Sequence, residues 1–199
     1  GVAAAQSGPI GDGKESWLET TVMGPGKLSF WWRTSSEATW DRLRCYIGGL
    51  DMDSISGVMT NWQQRTYDVP PGPQPIRFRY QKNGSVSNGL DRAWLDQVSY
   101  VPIYPPVFTS QPVSQEVDPG STVTFSTTVS GSTPFTYQWR FNGANLVNGG
   151  NVSGANTATL RLTSVQLAHA GNYSVTVSNA AAIITSTNAL LTVVPGLPL

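Results

Sequence analysis

The feature that most constrains this chain is an alternation of apolar and polar residues in short runs along its length. Leu28, Phe30 and Trp32 alternate with Ser29, Trp31 and Arg33; Leu43, Cys45 and Ile47 alternate with Arg44 and Tyr46; Ile76, Phe78 and Tyr80 alternate with Arg77 and Arg79. A period of two sends the two sets to opposite faces of a β-strand, so the first set of each run is expected in a core. Glycine and proline, 20 and 14 of 199 residues, separate the runs as turn residues do. With only 12% charged residues and many Thr, Ser, Val, Tyr and Trp, the composition favours short strands over amphipathic helices. The expected class is all-β with almost no helix.

Twelve basic residues balance twelve acidic ones, which leaves no broad field to gather nucleic acid or an anionic membrane. No apolar run approaches the roughly 20 residues that span a bilayer as a helix, so neither nucleic acid nor membrane insertion is expected, and the isolated fragment is expected to be monomeric. The opening residues GVAAAQSG lack a basic segment followed by an apolar core, and read as a part of something longer without a signal peptide. Cys45 is the lone cysteine, which excludes an intrachain disulfide and a Cys-rich metal site.

Composition divides the chain. Ten of the twelve basic residues, ten of the twelve acidic ones and six of the seven Trp precede residue 104. The segment VPIYPPVF, with Pro102, Pro105 and Pro106, reads as a short semi-rigid connector. Two β-sandwich domains are expected, over residues 1–103 and 104–199.

In the second, the runs TVTFSTTV, TYQWRF, ATLRL, NYSVTVS and ALLTVV are separated by Gly, Asn and Pro, and Asn142-Gly143 is a tight-hairpin signal. This order of residues resembles an I-set-like immunoglobulin domain of the kind common in large bacterial surface proteins. The resemblance implies that Trp139 is the core Trp and that Tyr173, in LAHAGNYSV, is the corner Tyr. It also implies that Thr127 and Val175 stand where the family's cysteines would, and His169 where its corner Asp would. Stability then has to come from packing by Trp139, Phe125, Leu160, Tyr173 and Val175. His169 is the only histidine, and with Cys45 far away along the chain a Ser-His-Asp or Cys-His site is not expected.

In the first domain about eight strands are expected, near residues 2–6, 16–22, 27–34, 41–47, 50–56, 62–69, 75–82 and 93–101. The string SWLETTVMGPGKLSFWWRTSSE, continued by DRLRCYIGG, NWQQRTYDVPPG, IRFRYQKNGSVSNG and AWLDQVSYV, resembles MAM-like jelly-roll domains of bacterial extracellular proteins, an architecture shared with carbohydrate-binding modules. The resemblance implies a jelly roll, an extracellular setting, and a polysaccharide or cell-surface glycan as partner.

Successive strands cross a sandwich from end to end, so loops alternate between its ends. One end receives MGPG, IGG and PPGPQ, together with the connector. The other receives the long polar stretches 8–15, 35–40, 57–61 and 83–92. Recognition is commonly built on such loops. Trp40, Glu37, Asp91, Arg92 and Asn83 are therefore the expected ligand-binding residues, Trp40 stacking on a sugar ring and the rest bonding to hydroxyls. The bland reading makes Trp62 and Trp94 core residues, Asp41 a strand cap and the loop charges solvated.

The rival surface is a sheet face bearing Trp31, Arg33, Tyr46, Arg77 and Arg79, suited to an acidic or sulfated polysaccharide. The candidate cofactor is a structural calcium ion, with Asp12, Glu15 and Asp91 as oxygen ligands. Asp51 and Asp53 read as a solvated strand edge. The sequence therefore leads to a non-catalytic glycan-binding or adhesion module with an immunoglobulin-like spacer. Purely structural stalk domains are the first alternative, and a glycoside-cleaving enzyme using Glu37 and Asp91 the second.

Overall fold

A computed structural model describes residues 4–8, 10–84 and 88–194. Two compact units divide at Ile103 and Tyr104. Both are β-structures, and among the described residues the only helical turn is a 3-10 turn at Leu167–His169.

Unit 1 contains β1 (Ala5–Gln6), β2 (Glu15–Ser35), β3 (Arg42–Ile47), β4 (Leu50–Ile55), β5 (Gln63–Gln81) and β6 (Arg92–Pro102). The expected first strand, near residues 2–6, falls partly outside the described residues. The expected strand pairs 16–22 with 27–34 and 62–69 with 75–82 are each one continuous strand. β2 and β5 stay paired from Glu15↔Gln81 to Trp32↔Gln63, with a register shift between Gly24 and Gly26. Gly-Pro segments read in sequence as reversals are corners that both strands turn together.

The ribbon folds back on itself there. Phe78 is the ladder partner of Leu18, and Phe30 lies twelve residues further along β2, about 40 Å of extended strand. Yet the rings of Phe30 and Phe78 are 4.8 Å apart. Each long strand therefore contributes one arm to each of two layers. One layer orders β1, β6, residues 26–35 and residues 63–69; the other orders residues 15–23, residues 73–81, β3 and β4. Four arms facing four arms in this order is the double-sheet form of a jelly roll. Glycine is required at the corner, since a Cβ on Gly24 would lie 1.8 Å from the Pro70 carbonyl oxygen.

The alternating rows meet between the layers. Leu28, Phe30, Trp32, Leu43, Cys45, Ile47, Ile76, Phe78 and Tyr80 are all buried in one cluster, as the period of two requires. Phe30 also makes an edge contact with Trp32 at 5.2 Å, a geometry that suits the ring quadrupole.

Unit 2 contains β7 (Val107–Ser110), β8 (Gln115–Val117), β9 (Val123–Ser126), β10 (Thr128–Ser130), β11 (Thr136–Phe141), β12 (Ala144–Asn145), β13 (Val152–Ser153), β14 (Thr159–Leu162), β15 (Gly171–Ser178), β16 (Ile183–Thr185) and β17 (Ala189–Val193). One sheet runs β12-β11-β15-β17-β8, with β16 also on β15, and faces β13-β14-β9 across a core of Phe125, Trp139, Leu160, Tyr173 and Val175. Thr127 and Val175 are both buried. The Thr127 hydroxyl is satisfied by donating to the Ser110 carbonyl at 2.6 Å, so this polar side chain is buried without an orphan donor.

Candidate functional site

The corners at 24–26 and 69–72, the Gly48-Gly49 turn between β3 and β4, and the end of β6 share one end of unit 1. Gly48 N donates to the Pro75 carbonyl at 3.0 Å, and Ile103 N donates to the Pro25 carbonyl at 2.8 Å. The described residues of segments 7–14, 36–41, 56–62 and 82–91 occupy the other end.

Those loops are tied into one cap. Asp41 is fully buried, and its Oδ1 accepts from Asn83 N at 2.9 Å. The Asn83 amide donates from Nδ2 to Glu37 Oε2 at 3.0 Å, and the Asn83 carbonyl accepts from Gly13 N at 2.6 Å. Buried Ser36 accepts from Gly57 N at 3.2 Å and donates to the Asp41 carbonyl at 3.1 Å. Asn83, Glu37 and Asp41 thus join three loops, and Ser36 adds the fourth. Asp41 accepts from Asn83 N just past the end of β5 and so holds the neighbouring loop.

Trp40 stands on this cap with 65% of its surface exposed. The preceding residue, Thr39, has a φ of 76° and its N–H donates to Ser56 Oγ at 3.0 Å. A non-glycine residue in the left-handed region carries strain that the surrounding bonds have to hold. Arg42 Nε adds a bond to the Thr39 carbonyl at 2.7 Å. Arg92 opens β6 opposite Ser35 and forms no ion pair among the described residues.

Asp91 is placed differently from the sequence expectation. Its Oδ2 lies 2.8 Å from Lys82 Nζ, and Asp12 Oδ1 lies 3.2 Å from the same nitrogen. Lys82 is buried, and the Asp91 hydrogen bond, opposed by burial and reinforced by Asp12, pushes its pKa up to about 12. Glu15, the third expected calcium ligand, pairs with Arg79 instead at 3.5 Å. Asp12 and Asp91 do come together, but around an ammonium. Among the described residues no three His, Cys, Asp or Glu side chains form a cation cage. Lys82 was missed in the sequence because a lysine before Asn-Gly reads as solvated; its parity with Ile76, Phe78 and Tyr80 is the signal that it points inward.

The rival surface corrects to two surfaces. Tyr46, Arg77 and Arg79 stand on the outer side of one layer, and Trp31 and Arg33 on the outer side of the other, because the corner places residues 26–35 and 73–81 in different layers. On the first, Arg77 pairs with Glu19 and Arg79 with Glu15. Arg77 also lies 5.1 Å from the Trp17 ring centroid and Arg79 5.5 Å from that of Tyr46. Its cations are therefore largely compensated. On the second, Trp62 and Trp94, expected in the core, flank Arg33 outside it. Asp51 and Asp53 also differ from free solvated carboxylates. Asp51 pairs with Arg44 and Asp53 with Arg65. Burial raises the Asp53 pKa, but the bonds from Arg65, Ser54 N and Tyr67, with the Arg65 charge, outweigh it and hold the group below its usual range.

In unit 2 the Tyr173 hydroxyl donates to the His169 carbonyl at 2.8 Å, the bond that defines a tyrosine corner. His169 Nδ1 accepts from Gln166 N at 2.7 Å, and the Asn151 amide lies 3.1 Å from Nε2. His169 therefore caps the 3-10 turn, a structural role.

The immunoglobulin domain family matches residues 105–179. Unit 2 is immunoglobulin-like. Solved structures similar to this chain include a chimeric titin Z1Z2 carrying an exogenous decorin peptide, at 30% identity over 48% of this chain and 100% of that one, with a TM-score of 0.43. The titin M3 domain is 29% identical over 45% of this chain and 97% of its own, with a TM-score of 0.41. The secreted serine protease VesC from Vibrio cholerae is 24% identical over 50% of this chain and 21% of its own, with a TM-score of 0.46. Among the described residues, no helix is long and apolar enough to cross a membrane.

Proposed function

We propose that the chain is a non-catalytic glycan-binding or adhesion module of a larger extracellular protein, in which the immunoglobulin-like domain serves as a spacer. The observation that carries this is Trp40, an indole presented to solvent on a loop cap whose described residues are cross-linked by hydrogen bonds. An exposed aromatic ring fixed in advance stacks on the apolar face of a sugar with little ordering cost. Glu37 and Asn83, already bonded to each other, give a polar edge in the same cap, and Arg92, without an ion pair among the described residues, contributes donors. The resemblance of unit 1 to MAM-like and carbohydrate-binding jelly rolls supports the same reading.

The carboxylate pair of a glycosidase fits poorly here. Asp91 is engaged by Lys82 and Glu37 by Asn83, so both hold loops in place, whereas acid–base hydrolysis needs two carboxyls free to face a substrate across a cleft. Calcium at Asp12 and Asp91 would require the Lys82 ammonium to leave. The second reading is a purely structural stalk, favoured by the internal pairing of Arg44, Arg65, Arg77 and Arg79.

A glycan array probed with the full chain separates the two, followed by titration of a hit with Trp40→Ala. Glycan binding predicts a loss of roughly 1 to 2 kcal/mol in that variant. Failure to bind any glycan, or an unchanged affinity in Trp40→Ala, rejects the assignment to this cap.

A further inference from the structure

The outer side of the layer formed by β1, β6 and residues 26–35 and 63–69 carries a cluster that the loop-end reading does not use. Arg33 is the ladder partner of Trp94 on β6, and its Cζ lies 4.8 Å from the Trp94 ring centroid and 4.9 Å from that of Trp62. The guanidinium is held between two indoles. Trp94 is fixed in turn, donating from Nε1 to Gln6 Oε1 at 2.9 Å. In the next row Trp31 stands between its ladder partners Asp96 and Gln64.

Arg33, like Arg42 and Arg92 at their strand starts, differs from the four ion-paired strand arginines of this unit. Arg44, Arg65, Arg77 and Arg79 each have a carboxylate partner, while Arg33 has no ion pair or side-chain hydrogen bond among the described residues. Its Nε is buried without a partner, as is that of Arg79, but Arg79 has Glu15 beside it and Arg33 has no carboxylate. Indole faces stabilise the cation through their quadrupoles, but they offer its N–H edge no oxygen acceptor. That edge matches an oxyanion, which it can grip with two parallel bonds. Asp96, in the next row, forms no ion pair with Arg33 and accepts through Oδ1 from Gln97 N at 2.8 Å.

We propose that this Trp62–Arg33–Trp94 row is a second ligand site, where Arg33 takes the carboxylate or sulfate of an anionic polysaccharide and Trp31 contacts the adjoining sugar ring. One fixed cation flanked by aromatics suits a sparse charge on a saccharide better than the dense phosphates of a nucleic acid, which draw on arrays of basic residues. The site borders the loop cap through Trp62 but is centred on the sheet residues Arg33 and Trp94 and does not use Trp40.

The test is affinity electrophoresis and tryptophan-fluorescence titration of the full chain with polygalacturonate, dextran sulfate and neutral dextran. The two anionic polymers distinguish carboxylate from sulfate. At least one should retard the protein and change its emission, with affinity falling as salt rises, and dextran should do neither. Arg33→Gln should weaken binding at least tenfold and Arg33→Lys several-fold through loss of the fork, while Arg77→Gln leaves it unchanged. Thermal unfolding checks that each variant is folded. If Arg33→Gln is not, Trp31→Ala replaces it, with a loss of about fivefold expected from an indole outside the stack. Absence of binding to both anionic polymers, equal binding to dextran, or an unchanged affinity in the folded variant overturns the proposal. So does an equal loss in Arg77→Gln, or equally tight binding of single-stranded DNA.

Discussion

Phe30 and Phe78 meet edge to face, at 4.8 Å and 82°, only because the β2–β5 ribbon turns through its glycine corner. The contact is long-range in sequence and in ladder position alike, and it closes one layer of unit 1 onto the other. The fold of this unit therefore depends on a few residues at each bend as much as on the rows of apolar side chains.

Gly24→Ala tests that dependence. The new Cβ would stand 1.8 Å from the Pro70 oxygen, and the obstacle is backbone on a paired strand, not a side chain that can swing away. Overpacking of this kind typically costs about 1 to 3 kcal/mol. Gly72→Ala has nothing within 4 Å of its Cβ but sits at a φ of 85°, so it isolates backbone strain from collision. Urea unfolding of the two variants should place Gly24→Ala lower. Equal stability of Gly24→Ala and the parent would mean that the corner can open.

Cys45 should behave as an inert core residue. It is fully buried, and burial, with the charges of Asp53 and Asp51 adding to it, pushes the thiol up to about 12. Alkylation requires the thiolate, so labelling of the native protein at neutral pH should be slow and should become rapid in denaturant. Thermal unfolding should be the same with and without reductant. Rapid native labelling would place the side chain at the surface.

Trp139→Ala should cost unit 2 about 3 to 5 kcal/mol. The indole is fully buried, packs on Phe125 at 6.1 Å, and donates from Nε1 to the Thr157 carbonyl at 2.9 Å. No cystine bridge is present to offset the cavity. Glycan binding through unit 1 should persist in the folded variant. Measured together, a parallel loss of binding and stability would show that the two units do not divide the work.

The core rows were legible because a period of two is a local property of each run. The corners were not. Gly24-Pro25-Gly26 has the same composition whether a strand reverses or bends, and only the ladder across β5 decides. Pairs such as Glu19 with Arg77 also depend on register, since the partners are 58 residues apart. In the candidate site, the exposure of Trp40 could be read from its polar neighbours. Trp62 and Trp94 misled because a large aromatic suggests a core, although the parity of Ala93 and Leu95, both buried, turns Trp94 outward. Lys82 misled in the opposite direction.

Alkaline pH should unfold the protein through groups that the fold keeps protonated. Burial raises Tyr67, Tyr80 and Tyr173 to about 12, with Asp53 adding at Tyr67 and Asp41 and Asp91 adding at Tyr80. Lys82 is raised to about 12 chiefly by its bond to Asp91. A pKa raised by folding means that the native state binds its proton more tightly than the unfolded chain. The stabilisation is complete below the ordinary values of 10.0 for tyrosine and 10.5 for lysine, and is lost as pH climbs from there towards 12. Urea midpoints should therefore fall steeply across that window. Tyrosinate absorbance should rise in two stages, exposed tyrosines first and these three together with unfolding. Lys82→Gln should start less stable, because Asp91 is left beside an uncharged partner, and should lose less over the same window. A parent and variant with parallel declines would show that the Lys82 ammonium does not hold the loop cap, and a single-stage tyrosinate titration would remove the three phenols from the core.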